Sequence, residues 1–331
     1  MRLLYLTDTH IRGTSPRSRN DDFPSTMKKK LEEVIQIVHR EQIDAVLHGG
    51  DLFDRPDLSP AIVGQFAAFF RRFQVPVYAI AGNHDLFGHN PDTVGRTMLG
   101  LLDALGVLRL IRPGEVIFME KEGRKVQLSG QPFHYDLDKR APELDYSVPG
   151  RNGADVCIHM VHGMLVARPL PEGVAHTLID HVWQADFDLL LTGHYHAGFP
   201  LQRREGRVIV NPGALARVNN HVSEVQRMPQ VAIITLEEEI DVRLLPLTSA
   251  VNGSEVLDRS YLQKKSYQEE KMNDFLQVVR AAGKVESISI AEIIDHIAKM
   301  HKVEDSVRKE ALLRIAAVEE QLATRGGTGS R

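Results

Sequence analysis

"VPVYAIAGNHDLFG", Val75 to Gly88, runs from an apolar segment straight into an amide, an imidazole and a carboxylate in a row. The segment Val75–Ile80, rich in β-branched and aromatic residues, reads as a short buried strand. A turn after it needs Gly or Asn, but it has no use for a His and an Asp beside them. A single stretch of this kind is compatible with a polar strand cap. Its meaning rests on whether other strand ends repeat it.

They do. "LLYLTDTH" ends in Asp8 and His10, and "DAVLHGGD" ends in Asp51. The opening stretch supplies Asn83 and His84, "CIHMVHG" supplies His162, and "LLLTGHYH" supplies His194 and His196. Further apolar runs read as strands at Leu3–Leu6, Ala45–Leu47, Val126–Leu128, Val156–Val161, Leu189–Thr192, Val208–Val210 and Val231–Thr235. Helical periodicity lies between the early ones. Met27, Leu31, Val34, Ile35 and Val38 share one face, and Ser59 followed by Pro60 starts a helix carrying Ile62, Val63, Phe66, Phe70 and Phe73 inward. A third helix is expected from "PDTVG" to a Gly106 C-cap, with Leu101, Leu102 and Leu105 as its apolar positions. Strands alternating with helices give an α/β fold, whose ligands bind at the carboxyl ends of the strands.

From about Pro113 the pattern loosens into a hairpin, "GEVIFMEKEGRKVQL", and a polar stretch rich in Asp and Pro. "VAIITLEEEIDVRLLPL" reads as two strands joined by an acidic turn, closing a main domain over residues 1–250. Residues 251–331 then read as a C-terminal helical region. "SISIAEIIDHIAKM", capped by Ser287 or Ser289, and "VEDSVRKEALLRIAAVEEQLA" are its helices, and "TRGGTGSR" is expected to be a disordered tail.

Composition sets outer limits. With 43% hydrophobic and 25% charged residues, the chain of 331 is that of a folded protein. A net charge of -4 excludes a globally basic nucleic-acid binder, but neither a local basic patch nor bound cations. The lone Cys157, in an apolar run, reads as a buried hydrophobe; it excludes an internal disulfide framework and fits a reducing compartment. No apolar run approaches the ~20 residues of a membrane span, and "MRLLYLTDTH" is too short in its apolar part for a signal peptide. A cytoplasmic protein with no membrane attachment is the expectation.

Carboxylate and amide oxygens mixed with imidazoles suit divalent cations of intermediate hardness such as Mn, Fe or Zn, with Mg also admissible. The absence of thiol ligands argues against a structural zinc site. In D-x-H and H-x-H, side chains two apart on extended backbone point the same way and can share a metal. Each fragment alone is weak, but five at successive strand ends point to a dimetal site. The other histidines carry less. His48 and His159 fall inside strands and read as core or supporting residues, and His134, His176, His181 and His221 lack a partner at ligand spacing. His89 reads as a surface loop residue.

"DTH", "GD", "GNHD", "VHG" and "GHYH", in this order, resemble the signatures of the calcineurin-like metallophosphoesterase superfamily, and "NPGALAR" (Asn211–Arg217) resembles its trailing NPG element. The resemblance implies a four-layer α/β/β/α sandwich. It implies that Asp8, His10, Asp51 and His196 hold one metal, and that Asp51, Asn83, His162 and His194 hold the other, with Asp51 bridging. His84 would face the substrate phosphate and protonate the leaving oxygen, oriented by Asp85. Two cations about 3.5–4 Å apart lower the pKa of a water between them and clamp the phosphoryl group. A placed general acid adds about 10²–10⁴-fold.

"GGDLFD" before a capped helix, then "VPVYAIAGNHD", is most similar to the SbcD/Mre11-like DNA repair nucleases. That branch implies manganese-dependent exonuclease or endonuclease activity on DNA, a homodimer, and an SbcC/Rad50-like coiled-coil ATPase as partner. The chain has no G-x-x-x-x-G-K-[ST] of its own, so an ATP-driven step needs such a partner. Arg12, Arg17 and Arg19 in "HIRGTSPRSRND" are candidates to track phosphates. Ile290, Ile293, Ile294 and Ile297 in the C-terminal helices are candidates to dock on the coiled coil. One departure stands out: the branch usually carries a sizeable mixed α/β cap after the catalytic domain, and here only about 80 residues follow, which read as helical. Two other readings remain: a small-molecule or cyclic-nucleotide phosphodiesterase or phosphatase of the same superfamily, and a non-catalytic scaffold subunit. The scaffold is disfavoured because every ligand position and His84 are filled.

Overall fold

The computed structural model describes residues 1–258, 297–301, 303–311 and 313–314. The first sheet begins with the parallel strands β1 (Arg2–Leu6), β2 (Ala45–His48), β3 (Val77–Ala79) and β4 (Arg109–Leu110). The chain then crosses to the second sheet through β5 (Val116–Lys121), β6 (Arg124–Gln131) and β7 (Val156–Val161). A small parallel pair follows, β8 (Leu165–Val166) with β9 (Thr177–Leu178). The second sheet is completed by β10 (Leu189–Thr192), β11 (Phe199–Arg204) and β12 (Arg207–Asn211). The hairpin β13 (Gln230–Leu236) and β14 (Ile240–Pro246) returns to the first sheet antiparallel to β1. Strand orders are β14-β13-β1-β2-β3-β4 and β11-β12-β10-β7-β6-β5.

The period-two alternation of the strands builds four layers. Leu3 and Tyr5 of β1, Leu47 of β2, Ile158 and Met160 of β7, and Leu189 and Leu191 of β10 meet between the sheets. Their neighbours point outward. Leu4, Leu6 and Val46 pack under α1 (Phe23–Arg40), α2 (Pro60–Arg71) and α3 (Met98–Ala104). Cys157, Val161, Leu190 and Ile209 pack against α4 (Glu143–Tyr146) and α5 (Ile179–Val182) on the far side. The sequence of layers is therefore helix, sheet, sheet, helix, as the resemblance implies. Because both faces of these strands are buried, they read as unbroken apolar runs.

α1 is capped by Asp22, whose side chain accepts from the Ser25 N–H, and it buries Met27, Leu31, Val34, Ile35 and Val38 as its spacing requires. α2 is capped by Ser59 with Pro60 in its first turn. Val63, Phe66 and Phe70 are buried, Ile62 is only partly so, and Phe73 is buried just beyond the helix end. The third helix differs from expectation. "PDTVGR" forms a 3₁₀ turn (Pro91–Arg96), and α3 starts at Met98 behind a Thr97 cap. Its buried residues are Leu99, Gly100 and Leu102, whereas Leu101 and Leu105 are exposed. The new start rotates the buried stripe away from the positions that a continuous helix from Pro91 would favour.

The chain divides into two compact units, residues 1–260 and 261–331. The first runs past the expected boundary at 250. α6 (Val222–Gln226) lies against α7 (Gly253–Val256), the Asn20 N–H donates to the Val256 carbonyl, and Leu257 is buried in a bridge with Arg19. In the second unit residues 297–300 and 305–311 are helical, and Ile297 is half-buried. Ser287, Ser289, Ile290, Ile293, Ile294 and the tail lie outside the described residues. Among the described residues no helix is long and apolar enough to cross a membrane.

Candidate metal centre

Each polar stretch singled out in the sequence begins where a central strand stops: Asp8 and His10 after β1, Asp51 after β2, Asn83 and His84 after β3, His162 after β7, and His194 and His196 after β10. Backbone hydrogen bonds lace these ends together. Asp8 N–H donates to the Gly50 carbonyl, His10 N–H to that of Asp51, and Gly193 N–H to that of Val161. Asp8, His10, Asp51 and His194 all adopt left-handed φ, at 52°, 41°, 49° and 69°. That conformation is uncommon outside glycine and costs on the order of 1 kcal/mol or more per residue, so four neighbours sharing it mark a functional rim.

Two side-chain clusters share Asp51, and a third joins His10 to Asp54 and His84. Asp8, His10, Asp51 and His196 bring one atom each within 4.8 Å of one another, as do Asp51, His162 and His194. Asn83 joins the second, its Oδ1 lying 3.3 Å from His162 Nε2. Asp51 belongs to both. Its Oδ1 accepts from the His84 N–H at 2.8 Å, while its buried Oδ2 has no hydrogen-bond partner. That oxygen faces His10 Nε2 at 3.6 Å and His162 Nε2 at 3.4 Å. His162 Nδ1 meets the Gly49 carbonyl at 2.7 Å; it donates there, which aims the lone pair of Nε2 at the Asp51 and Asn83 oxygens. His10 Nε2 and His196 Nε2 face each other at 3.1 Å. Acceptors converging on acceptors in a buried space demand positive charge, and the mixture of O and N donors fits divalent cations.

The buried carboxylates meet that demand by drawing positive charge onto His162 and His196. Burial pushes the Asp51 carboxyl up, but His162 outweighs it and holds the group well below the carboxylate range. Burial likewise opposes the charged form of Asp8, and His196 keeps it low. Conversely, burial pulls His162 down, but Asp51 and Asp8 lift it to about 9. His194 is lowered to about 4, by burial and then by the charge of His162.

His84 is separate from the two clusters that share Asp51. Its ring stands edge-on to His10 with centroids 4.8 Å apart, and it opens to solvent. Its Nδ1 contacts the Asp54 carbonyl at 3.0 Å. Asp54, unassigned in the sequence, also lies 3.6 Å from His10 Nδ1 through its carboxylate and is the residue that supports both rings. The only signal was a second carboxylate in "GGDLFD".

Asp85 does not orient His84. Buried, it accepts from the backbone N–H groups of Leu52, Phe53 and Gly82, and so ties the loop after β2 to the loop after β3. Burial, then the charge of Asp51, raises its carboxyl to about 7. Its oxygens face backbone donors, and His84 Nδ1 meets the Asp54 carbonyl instead.

The three arginines separate. Arg17 is exposed. Arg12 pairs with Asp54 at 2.9 Å, which puts it beside the centre. Arg19 is buried, gripping Asp21 through two nitrogens and donating to the Arg217 carbonyl, so it is not a phosphate-tracking residue. His48 and His159 are buried and hydrogen-bonded, to Thr9 and to Ser129.

The "NPGALAR" loop backs Asp8: Leu215 and Ala216 donate N–H groups to the carbonyls of Thr7 and Asp8. Its own carbonyls are held by basic side chains. Lys30 Nζ donates to Leu215, and Arg227 to Ala214 and Ala216. Burial and three neighbouring arginines drive Lys30 well below its ordinary value.

Residues 1–198 match the family model described as calcineurin-like phosphoesterase. Among curated proteins, the chain is similar to the double-strand break repair protein MRE11 of Encephalitozoon cuniculi, 24% identical over 332 residues, covering 88% of this chain and 55% of that protein. It is also similar to the DNA double-strand break repair protein Mre11 of Methanosarcina acetivorans, 23% identical over 94% of this chain and 51% of that one. Against a subunit of the nuclease SbcCD of Bacillus subtilis, identity reaches 39% over 98 residues, 28% of this chain and 23% of the relative. The chain spans about half the length of the two repair proteins. Among solved structures, the calcineurin-like phosphoesterase YfkN from Bacillus subtilis is similar at 17% identity and a TM-score of 0.44, over 85% of this chain and 98% of that one.

Proposed function

Because the chain belongs to the calcineurin-like phosphoesterase family, we propose that it is a dimetal DNA nuclease of the SbcD/Mre11 kind, hydrolysing phosphodiester bonds. The observation that carries this reading is the buried Asp51 Oδ2, unpaired among imidazole nitrogens and shared by two clusters. Asp8, His10, Asp51 and His196 would hold one cation, and Asp51, Asn83, His162 and His194 the other, manganese being the ion of choice. Bound there, the pair would neutralise the phosphodiester and acidify a water.

The protein's own groups do the rest. The Gly49 carbonyl fixes the tautomer of His162, and the Asp54 carboxylate steadies His10. The Asp54 carbonyl accepts a hydrogen bond from His84 Nδ1–H, which leaves Nε2 as the nitrogen that, in the imidazolium form, can give a proton to the leaving oxygen. Arg12, beside Asp54, supplies positive charge next to a bound phosphate. The double-strand break repair relatives support DNA as substrate. The relative named as a subunit of the SbcCD nuclease supports a partnership with an SbcC/Rad50-like ATPase.

The test compares linear duplex DNA, single strands and bis-p-nitrophenyl phosphate with Mn²⁺, with and without chelator. Manganese-dependent cutting of DNA is expected, and His84→Ala should lower kcat by about 10²–10⁴-fold while keeping its metal content. Inert DNA beside a hydrolysed small diester would transfer the reading to a small-substrate phosphodiesterase. No turnover of any diester would end it.

A further inference from the structure

Phe133, the second residue after β6, stands between the metal centre and a cavity. Its ring lies 6.2 Å from that of His194 and 5.9 Å from that of His89, whose own ring is 6.4 Å from His84. The contact with His89 is edge-on, at 81°. Its N–H donates to the Ala81 carbonyl, and the Tyr135 hydroxyl donates to that of Gly88, so this loop is pinned to the one carrying Asn83 and His84. Behind the ring lies a cavity of about 380 Å³, walled by Leu86, Val94, Ile111 and Phe133, with Gln131 and Arg112 among its lining.

Three features give this cavity a ligand. Its volume lies within the roughly 300–1,000 Å³ of small-molecule pockets, and its walls are mainly apolar, with Asp92, Arg112, Gln131, His134 and Arg140 as the polar members. Phe133 both lines the cavity and lies 6.2 Å from His194, so the cavity adjoins the metal centre through this one ring. A sugar-phosphate backbone has nothing to bury there. The flat, weakly polar part of a nucleotide is its base, and stacking on an aromatic ring is the sequence-tolerant way to hold one.

Building on the phosphodiesterase reading, we propose that this cavity is a nucleobase subsite, which stacks the base next to the scissile phosphate on Phe133. His89 and Ala81 hold the ring in place for that contact. The base comes from a polynucleotide strand or from a free nucleotide, and the shared chemistry is the stacked ring.

The experiment is calorimetric titration of the full chain, with Mn²⁺, using a hydrolysis-resistant phosphorothioate dithymidine and the same diester lacking both bases. In wild type the bases should add about tenfold or more in affinity. Phe133→Leu, which keeps apolar volume without the ring, and Val94→Phe, which fills the cavity, should each erase that increment. Both should keep the wild-type manganese content, so that a lost increment reads as lost stacking. Equal binding of the two ligands by wild type, or an unaltered increment in both variants, would overturn the subsite. Failure of wild type to cleave any diester would instead overturn the phosphodiesterase reading, and the base increment would still be measured. Tighter binding of oligothymidylate than of thymidine monophosphate assigns the base to a strand; equal binding assigns it to a free nucleotide, and either keeps the subsite.

Discussion

Asp51 occupies the one position that both clusters need. With one oxygen taken by the His84 N–H and the other bare toward two imidazoles, an amide at this place offers either an oxygen or an NH₂ where two acceptors are required. Asp51→Asn should therefore deplete both metals, which plasma emission of the purified variant would read; one site left full would contradict a shared ligand. Most residues of the site were legible because a strand end is a fixed address: an apolar run followed by His, Asp or Asn shows where the side chain must emerge. Asp54 and Asp85 were not legible in the same way. Their roles depend on which backbone groups a loop turns toward them, and no spacing rule encodes that. Arg19 was misplaced for a similar reason. "RSRND" has the look of a solvated basic loop, and only the fold reveals that Asp21 and the Arg217 carbonyl enclose its guanidinium.

At the scale of elements, the loops after β2 and β3 behave as one piece. Asp85 fastens them with three backbone hydrogen bonds, and Gly82 lets them close up, since a Cβ there would sit 2.2 Å from Asp51 Oδ1. Gly82→Ala must push the loops apart. Overpacking of this kind costs about 1–3 kcal/mol, so a lowered Tm together with lost metal is the expected pair of readings. Normal metal content in that variant would show that the loops move independently. The strands and the first two helices were readable from period and caps alone. The third helix was not: Thr97 competes with Pro91 as a start signal, and the choice between them moves Leu101 and Leu105 from core to surface.

Across the whole molecule, two consequences can be measured. His159 is buried between Ser129 and the Asp145 carbonyl, and burial lowers its imidazole to about 4. In the unfolded chain it titrates near 6.5, so between these values the unfolded state binds more protons. The stability it allows is complete above about 6.5 and is lost as pH falls toward 4. His48, also lowered to about 4 by burial, acts in the same direction. Tm should drop across this window, and His159→Gln should flatten the drop; parallel curves for variant and wild type would remove His159 as a cause. The second consequence concerns where the chain can be cut. The Val251 carbonyl receives Arg217, and Val256 and Leu257 are buried, so truncation after residue 250 should destabilise the first unit more than truncation after 258. Matching melts of the two truncations would refute this.

The doubly covered strands have one more implication. Solvent reaches β1, β2, β7 and β10 from neither face, because apolar layers close both. In heavy water their amide protons should survive until the entire sandwich opens, and they would report its global free energy. The exposed turns at Glu122–Gly123 and Glu205–Gly206 should exchange far sooner. The hydrogen-bonded strand tips that carry the site would thus breathe with the slow core rather than with the hairpins.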